Sequence, residues 1–473
     1  MTSSTAPTKR AASGRKTPRI LILGGGYVGL YTAIRLRKQL GRREAAIVVV
    51  DPRSYMTYQP FLPEAAAGSI EPRHVVAPHR RELKGTTVIT GRVSAIQHGE
   101  RAVQVTPDDG EAYWVRYDHL VVSLGAIART LPIPGLAEVG LGFKQVEEAF
   151  ALRNQVLGML DAAASTWDPI KRQRMLTFTF VGGGFAGIEA LGEIEDMARA
   201  ATRDFGSIEP SDLRFVLVEA TARILPELGE ELGGYALEQL RARGIEMKLS
   251  TYLSSCIDGH VVLSTGEEFD SDTIVWTAGV KANPVMQQSD LPLDEMGRIR
   301  ADSHLRVVTE EGVVVEGAWA AGDCAAVPDI AQGEGKFCAP TAQHAVRQSK
   351  HLGDNIVRHL SGEETVQYVH ANLGTVASLG LGKGVAQIFG IKLRGPIAWF
   401  MHRTYHLWAM PTLNRKVRIV LDWTTALLFR REPVALGGVQ TPRAEFIAAS
   451  APPPGRENIP TPPPLRSAAK SNA

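Results

Sequence analysis

The chain has 473 residues, of which 44% are hydrophobic and 22% charged, an ordinary composition for a globular protein with room for about three domains. The formal net charge of +2 argues neither for nor against a nucleic-acid partner, and we expect none. Three cysteines without a Cys-x-x-Cys pair exclude a secreted disulfide framework and a thioredoxin-like redox pair. No stretch approaches the roughly 18 consecutive apolar residues that a membrane-spanning helix needs.

Both ends of the chain have the composition of extensions rather than of folded segments. Residues 1–17 are rich in Ser, Thr, Lys and Arg and lack the hydrophobic centre of a secretory signal, so we expect a disordered extension. A short organelle-targeting leader stays the alternative. Residues 448–473 are rich in Pro and Ser, and we expect a disordered tail there.

The first folded segment, residues 19–36 (RILILGGGYVGLYTAIRL), predicts a strand, a glycine-rich turn and a helix. In G-x-G-x-x-G, Gly24 allows the tight turn, Gly26 lets the backbone approach a pyrophosphate, and Gly29 lets helix and strand pack closely. The phosphate would sit at the helix N-terminus. The next strand, AAIVVVD, ends in Asp51, 27 positions after Gly24, where an acid accepts hydrogen bonds from an adenosine ribose.

The same pattern of strand, glycine-rich turn and helix occurs a second time in the sequence. Residues 177–194 (TFTFVGGGFAGIEALGEI) carry Gly182, Gly184 and Gly187, and the following strand LRFVLVE ends in Glu219. Two complete copies outweigh the alternative that each is only a tight strand-to-helix turn with an incidental acid. A carboxylate at Glu219 would also repel the 2′-phosphate of NADPH and so favours NADH.

Each unit closes with a matching strand and a small-residue turn. These are HLVVSLGA, which contains Gly125, and TIVWTAGV, which contains Gly279. Arg214 and Arg223 lie close to Glu219 in the sequence, so a preference for NADPH stays open.

A third signal follows the repeat. In WAAGDCA a strand ends in Gly322 and Asp323, where an acid suits the ribityl or pyrophosphate region of FAD. The arrangement is similar to that of two-domain flavin reductases, in which an NAD domain is inserted into an FAD domain. We therefore predict an α/β fold of two Rossmann-like dinucleotide-binding domains plus a C-terminal amphipathic helical segment. The predicted limits are 18–150 and 285–380 for the FAD domain, 151–284 for the NADH domain and 381–447 for the C-terminal segment.

Disulfide-reducing flavoenzymes need a redox cysteine pair near the first unit, and residues 51–70 contain no cysteine. Cys324 and Cys338 raise sulfide oxidation as an alternative, with Cys256 as the remaining thiol. We interpret the three as unrelated, largely structural thiols.

From about Arg19 to Ala435 the chain resembles the type II NADH:quinone oxidoreductases, the single-chain, non-pumping alternative NADH dehydrogenases. The resemblance rests on the first glycine turn, YQPFLPEAAAGSI, GGGFAGIE, TAGV, AAGDCA, PTAQHAVRQ, LGTVASLG and a Trp- and Arg-rich segment after it. It implies FAD and NAD as cofactors and hydride transfer from NADH to FAD. Two electrons would then pass to a menaquinone- or ubiquinone-type quinone at the cytoplasmic side of the cell membrane.

The resemblance also implies two catalytic residues. Glu189 corresponds to the acid near nicotinamide and flavin, with N-terminal helix capping as the alternative interpretation. Gln343 corresponds to the first glutamine of the A-Q-x-A-x-Q helix at the quinone end. The second glutamine position holds Arg347, and Gln348 follows one residue later, rotated by about 100° on a helix. Either Arg347 faces the acceptor or the quinone pocket is built differently.

The C-terminal segment predicts a membrane-docking surface. Residues 392–431 hold eight Lys or Arg against one acid, Asp422, and three of the seven tryptophans. A helix lying in a membrane surface has such a composition, and a dimerisation or domain-packing helix is the alternative. The apolar side chains at helical spacing are Ile397, Phe400, Met401, Tyr405 and Trp408.

His402 and His406 have the spacing of two metal ligands on one helix face, but no Glu follows His402 as in H-E-x-x-H. We interpret them as a helix-face pair and expect no metal site. Two other functions stay open, a soluble NADH-dependent reductase with a different acceptor and a flavoprotein redox sensor with low turnover. The sequence is also compatible with a homodimer.

Overall fold

The computed structural model describes residues 17–370, 374–429, 431–436, 443, 444 and 447. Most of the expected N-terminal extension, and the whole of the tail over 448–473, lie outside this part of the chain. Two mainly parallel sheets with helices against their faces make up the described structure. This confirms the predicted α/β fold with two similar dinucleotide-binding units.

The first unit begins with apolar strands that are buried on both faces, as the strands of parallel sheets are. Its elements are β1 (Arg19–Leu23), α1 (Tyr27–Gln39), β2 (Ala46–Asp51), β3 (Tyr55–Thr57), α2 (Leu62–Ala66), β4 (Val76–Pro78), α3 (His79–Glu82), β5 (Thr87–Thr90), β6 (Arg92–Gln97), β7 (Ala102–Thr106), β8 (Tyr113–Arg116), β9 (His119–Val122) and β10 (Ala126–Ala128).

The second unit repeats the strand, turn and helix. Its elements are α4 (Leu136–Val139), β11 (Gly140–Gly142), α5 (Val146–Ser165), α6 (Pro169–Met175), β12 (Thr177–Val181), α7 (Phe185–Ala201), β13 (Arg214–Val218), α8 (Gly229–Ala242), β14 (Glu246–Lys248), β15 (Leu253–Ser255), β16 (His260–Leu263), β17 (Glu268–Asp270), β18 (Thr273–Trp276) and β19 (Val280–Ala282). Its parallel sheet has the order β11-β18-β12-β13-β14.

The chain then returns to the first sheet. The returning elements are β20 (Ile299–Arg300), β21 (Arg306–Val308), β22 (Val314–Ala320), β23 (Ala325–Ala326) and α9 (Ala342–Leu360). Strand β22 pairs in parallel with β9, so the first sheet has the order β21-β22-β9-β1-β2-β5. Helix α9 packs along α1, where the Thr32 hydroxyl donates to the Ser349 carbonyl at 3.1 Å. The first unit is therefore discontinuous in the chain.

Two short strands, β11 and β19, lie close to the predicted domain limits at residues 150 and 284. Strand β11 belongs to the second sheet although it precedes residue 150. Strands β10 and β19 pair antiparallel and form a ribbon at the passage between the units. The limits at 150, 284 and 380 stay predictions.

The C-terminal segment forms a small antiparallel sheet followed by two helices. Its elements are β24 (Gly374–Ser378), β25 (Gly384–Ile388), β26 (Ile391–Arg394), α10 (Gly395–Ala409) and α11 (Leu413–Leu428). Helix α10 packs against this sheet, and α11 packs against residues 72–75 of the first unit. Among the helices of the described residues, none is long and apolar enough to cross a membrane.

Candidate active site

The first glycine turn has the steric requirements that its sequence predicts. Gly24 has φ +92°, and a Cβ there would collide with the Ser123 carbonyl oxygen. A Cβ on Gly29 would collide with the Gly24 carbonyl oxygen, because α1 begins directly beneath that carbonyl. At Gly26, by contrast, no heavy atom lies within 4 Å of a Cβ. Two glycines are thus required by the protein itself, and Gly26 leaves open space in front of the helix N-terminus.

The acid of the first unit is bound to the turn. The Gly25 amide donates to Asp51 Oδ2 at 2.7 Å, and the Arg53 amide donates to Asp51 Oδ1 at 2.7 Å. The buried His79 Nε2 lies 2.8 Å from the Gly25 carbonyl oxygen on the other side. His79 was not singled out from the sequence, because nothing in its neighbours distinguishes it from a surface histidine. The turn is held rigidly from both sides.

The second turn repeats this geometry. Gly182 has φ +114°, and its Cβ would lie 2.7 Å from Thr277 Oγ1, while a Cβ on Gly187 would collide with the Gly182 carbonyl oxygen. Gly184 again has no heavy atom within 4 Å of a Cβ. The repeated sequence motif is therefore a repeated three-dimensional site.

Glu219 takes the place of Asp51 in this second site. The Gly183 amide donates to its Oε2 at 2.5 Å, and both the amide and the hydroxyl of Thr221 donate to its Oε1 at 2.7 Å. These contacts fix the carboxylate at the edge of the turn. Arg214 turns away to Glu246, with an Nε–Oε1 distance of 2.7 Å, so its charge is matched elsewhere.

The strands that close the two units are tied to the turns in the same way. The Ser123 hydroxyl donates to the Leu23 carbonyl at 2.8 Å, and the Thr277 hydroxyl donates to the Val181 carbonyl at 2.9 Å. Gly125 (φ +65°) and Gly279 (φ +91°) follow, each with open space at the Cβ position. Open space over the middle and closing glycines of both units fits two dinucleotides, one at each site.

Gly322 and Asp323 follow β22 at the first site. The Gly322 amide donates to Gln348 Oε1 at 2.7 Å, and Gln348 is 1% exposed. Lys144 Nζ lies 3.8 Å from Asp323 Oδ2. Burial raises the pKa of Asp323 against the attraction of Lys144, and burial lowers the pKa of Lys144. Gln348 therefore anchors the Gly-Asp turn and is not available to face an acceptor.

Gln343 and Arg347 lie on the first two turns of α9. Gln343 Nε2 donates to the Gly374 carbonyl at 3.4 Å, which joins α9 to the C-terminal sheet. Arg347 Nη1 donates to the Gln343 carbonyl at 3.3 Å. Both side chains are half-buried. Arg347 occupies the position at which the resemblance has its second glutamine.

Glu189 is the fifth residue of α7, beyond the first turn, and it does not cap the helix. It is 7% exposed, and its Oε1 accepts a hydrogen bond from the Ser378 amide at 3.0 Å. His402 Nε2 of α10 lies 3.0 Å from the same oxygen, in an ion-pair contact. Burial alone would lower the pKa of His402, but Glu189, Glu64 and Glu193 outweigh burial and raise it.

More charged groups surround this pair in the buried junction between the units. Trp423 Nε1 donates to Glu64 Oε2 at 2.6 Å, and Arg403 Nη2 lies 2.9 Å from the same oxygen. Glu193 is fully buried, with Arg431 at 3.6 Å. Burial and the charge of Glu64 raise the pKa of Glu193. Sequence reasoning missed these groups, because each of their contacts joins residues more than 180 positions apart.

The remaining candidates are the three cysteines and the two histidines of α10. Cys256, Cys324 and Cys338 are buried free thiols, and burial raises the pKa of Cys324 to about 12. The His402 and His406 rings lie 4.5 Å apart on α10, and burial lowers the pKa of His406 well below its ordinary value.

The chain is similar in sequence to a known family and to curated proteins. A family model described as pyridine nucleotide-disulphide oxidoreductase matches residues 18–349. A type II NADH:quinone oxidoreductase of Staphylococcus epidermidis is 30% identical over 81% of this chain and 93% of its own length, and the protein of that name from Staphylococcus aureus has the same values.

Among solved structures, the fold is similar to that of NDH2 from Plasmodium falciparum in complex with NADH. The TM-score is 0.82 at 16% identity, and the match covers 89% of this chain and 100% of that chain. Because the family model spans more than half of the chain and relatives at 30% identity match 81% of it, the chain belongs to the pyridine nucleotide-disulphide oxidoreductases and, within them, to the type II NADH:quinone oxidoreductases.

Proposed function

We propose that this chain is a flavoenzyme that oxidises NADH and reduces a quinone dissolved in the membrane, without moving protons across it. The observation that carries the proposal is the pair of glycine turns, each with open space before a helix N-terminus and an acid fixed beside it. Family membership supports the NADH:quinone oxidoreductase activity.

At the first site, FAD would be held by Gly24, Gly26, Gly29, Asp51, Gly125, Gly322 and Asp323. When bound, a flavin supplies the ability to accept a hydride from a nicotinamide and to release two electrons to a second acceptor. The protein contributes alignment. Gln348 fixes the Gly322 amide at 2.7 Å, and Lys144 partly balances the charge of Asp323.

At the second site, NADH would be held by Gly182, Gly184, Gly187, Glu219 and Gly279. Glu219 is already fixed by three hydrogen bonds, so it cannot swing away from a 2′-phosphate. Excluding NADPH therefore needs no further residue. We expect Glu219→Gln to lower the ratio of kcat/KM for NADH to that for NADPH at least about tenfold, equal to about 1.4 kcal/mol. An unchanged ratio would assign nucleotide choice elsewhere.

Quinone reduction needs protons as well as electrons. We assign Gln343 to the quinone end of the site, where its amide can donate to a quinone carbonyl. Glu189 Oε1 and His402 Nε2 lie 3.0 Å apart in a buried setting, and we assign to this pair the supply of a proton to the reduced acceptor.

The C-terminal helices support docking at a membrane surface. Exposed apolar side chains cover their outward face, among them Ile397 (64% exposed), Phe400 (63%), Trp408 (74%), Leu413 (76%) and Leu427 (85%). Lys416 Nζ of α11 donates to the Trp408 carbonyl at 2.6 Å, so this basic group lies beside the exposed Trp408. An interfacial helix pairs such an apolar face with cationic side chains near lipid headgroups. We assign the cytoplasmic face of the cell membrane on the same ground.

The activity is tested by NADH oxidation with a panel of quinones. We expect Gln343→Ala and Glu189→Gln to lower quinone reduction at least about tenfold while flavin bleaching by NADH under anaerobic conditions persists. Gln387→Ala, on the C-terminal sheet, serves as the amide control and keeps full turnover. Flavin that stays oxidised with NADH would contradict the scheme. Bleaching without useful turnover on any quinone would favour the redox sensor.

Docking is tested by flotation with vesicles that contain anionic lipid. Phe400→Ser with Trp408→Ser removes two exposed apolar anchors worth about 3 kcal/mol together, so we expect roughly hundredfold weaker binding. Trp167→Ser with Ile170→Ser is the matched control. Trp167 lies in the loop before α6 and is 100% exposed, and Ile170 lies on α6 and is 71% exposed. Equal flotation of both double variants would support a soluble reductase instead.

A further inference from the structure

A short hairpin-like turn lies between β23 and α9. Pro328 and Phe337 form an antiparallel bridge, the Asp329 amide donates to the Lys336 carbonyl at 2.8 Å, and the Cys338 amide donates to the Val327 carbonyl at 2.9 Å. The two arms carry Asp329 and Cys338 next to each other. These side chains are 4% and 9% exposed, although most of the turn between them faces solvent.

The first turn of α9 adds His344 to this pair. One ligand atom each of Asp329, Cys338 and His344 can be chosen so that all three lie within 4.8 Å of one another. His344 Nε2 is 3.9 Å from Asp329 Oδ2. In a tetrahedral zinc site, metal–ligand bonds of about 2.0–2.3 Å place neighbouring ligand atoms roughly 3.3–3.8 Å apart. The three groups therefore need to close by only about an ångström.

Neighbouring polar groups orient two of these ligands. Gln332 Nε2 donates to Asp329 Oδ2 at 2.7 Å. The Tyr368 hydroxyl lies 3.0 Å from His344 Nδ1, which leaves Nε2 as the nitrogen facing the aspartate. A hydrogen bond to the second ring nitrogen is the usual support for a metal-binding histidine.

A second histidine approaches from the segment after α9. The His370 ring centre is 5.7 Å from that of His344, and its buried Nε2 has no hydrogen-bond partner among the described residues. This imidazole therefore has a ring nitrogen that is available to bind a metal.

Cys338 does not have the surroundings of a nucleophilic thiol. Burial and the charge of Asp329 raise the pKa of Cys338 to about 11, so without a cation the group is a protonated thiol. Reactive cysteines have lowered pKa values and access to solvent. A divalent cation would balance one thiolate and one carboxylate, and the cysteine proton would leave to solvent on binding.

We propose that Asp329, Cys338, His344 and His370 bind one Zn²⁺ ion. The ligand atoms of Asp329, Cys338 and His344 already lie within 4.8 Å of one another, and His370 would turn toward them to complete a tetrahedral set of one sulfur, two nitrogens and one oxygen. The ion would join the turn at 329–338, the start of α9 and the segment around residue 370. Because Gln343 precedes His344, the site would also fix the helix end assigned to the quinone.

The four ligands of this site do not form a recognisable sequence motif. Its ligands follow the spacing Asp-x₈-Cys-x₅-His-x₂₅-His, which has no compact pair of the Cys-x-x-Cys kind. Nothing in that spacing indicates a metal site. The fold supplies what the spacing lacks, because the turn and α9 bring three separate stretches together.

The test is the metal content of the full-length, FAD-loaded protein after dialysis against a weak chelator. We expect about one zinc ion per chain in the wild type and in Cys256→Ala, a buried cysteine remote from the turn, and less than about a tenth in Cys338→Ala and His344→Ala. Wild-type protein with less than that tenth, and no rise in melting temperature when Zn²⁺ is added back, would overturn the proposal.

A second measurement begins with the wild-type protein and adds one conservative variant. Co²⁺ added to chelated wild-type protein should give a thiolate-to-cobalt charge-transfer band in the near ultraviolet, and Cys338→Ser should lose it. Added Zn²⁺ should raise the melting temperature of the wild type and leave that of Cys338→Ser unchanged. No cobalt band in the wild type would count against Cys338 as a ligand. Neither readout uses quinone reduction, so failure here leaves the proposed function untouched.

Discussion

Glu189 and His402 bring opposite charges together where solvent does not reach. Their atoms approach to 3.0 Å, and each side chain is at least nine-tenths buried. A buried pair of this kind gains from its own attraction but loses its hydration, so its value depends on staying intact. Because the two residues belong to α7 and α10, the protonation of His402 is linked to the packing of the C-terminal segment on the second unit.

The stability of the protein should fall as pH rises through neutrality. His402 has a raised pKa when folded, so its contribution is complete below about 6.5 and is lost as pH rises through the folded pKa. Glu193 acts with the same sign, because a carboxyl with a raised pKa favours folding only while protonated. We expect the melting temperature, followed by flavin fluorescence, to drop between pH 6 and pH 8.

The neutral double variant Glu189→Gln/His402→Gln should show a shallower drop. His260→Gln/Asp270→Asn is the matched control, since that pair is exposed and screened by solvent. Parallel curves for the wild type and the Glu189 and His402 variant would show that this pair does not titrate with folding.

At the scale of single elements, each glycine turn contains glycines that folding requires and one glycine that only ligand binding requires. Gly24, Gly29, Gly182 and Gly187 are required by contacts inside the protein, whereas Gly26 and Gly184 face open space. Both open glycines also have negative φ, of −68° and −75°, which an alanine adopts without strain. Substituting them should therefore leave the folded chain intact and affect only what binds there.

Gly26→Ala and Gly184→Ala serve as each other's control. We expect both to keep the wild-type circular dichroism spectrum. Gly26→Ala should be purified with little flavin, and Gly184→Ala should keep its flavin but raise KM for NADH at least about tenfold. Reversed effects would exchange the two cofactor assignments. Loss of folding in either variant would contradict the open space seen at these turns.

At the scale of the whole molecule, one arginine ties the C-terminal sheet to the second unit. Arg243 at the end of α8 contacts Glu195, lies 3.0 Å from Asp196 and donates to the carbonyl oxygens of Gly192 and Leu379. Glu195 is 1% exposed, so its carboxylate depends on Arg243 and Arg199 for compensation. The junction that holds Glu189 is fixed by this arginine.

We expect Arg243→Met to destabilise the protein by about 3 kcal/mol, because it leaves a buried carboxylate short of a partner. The melting temperature should fall by about 3 °C, and limited proteolysis should cut first near residue 380. Arg35→Met is the control. Its pair with Asp354 is 44% and 36% exposed, and such pairs contribute no more than about 1 kcal/mol. Equal losses in both variants would contradict this ranking.

The sequence predicted the fold well because its signals are local. Strand, turn, helix and acid follow one another within about 40 residues in each copy, so Gly24 to Asp51 and Gly182 to Glu219 could be placed without coordinates. The C-terminal helices and the return of β22 to the first sheet also followed from pattern and resemblance.

The rest depends on contacts between distant residues. The sequence alone does not show which way Gln348 faces, and α9 turns its side chain inward onto Gly322. Only the packing of α9 on α1 decides which face is buried, and a helical period alone does not. The Glu189 and His402 contact joins positions 213 apart, and no spacing rule reaches that far.

The position of β22 has a consequence for how the chain is made. Its partner β9 leaves the ribosome first, and the entire second unit is synthesised before residue 314 appears. At about 5–20 residues per second, this interval lasts roughly 10–40 s. For that time β9 has an unpaired edge and the first unit cannot complete its sheet. The second unit, contiguous in the chain, is the one that can fold alone, so it should mature before the unit that precedes it.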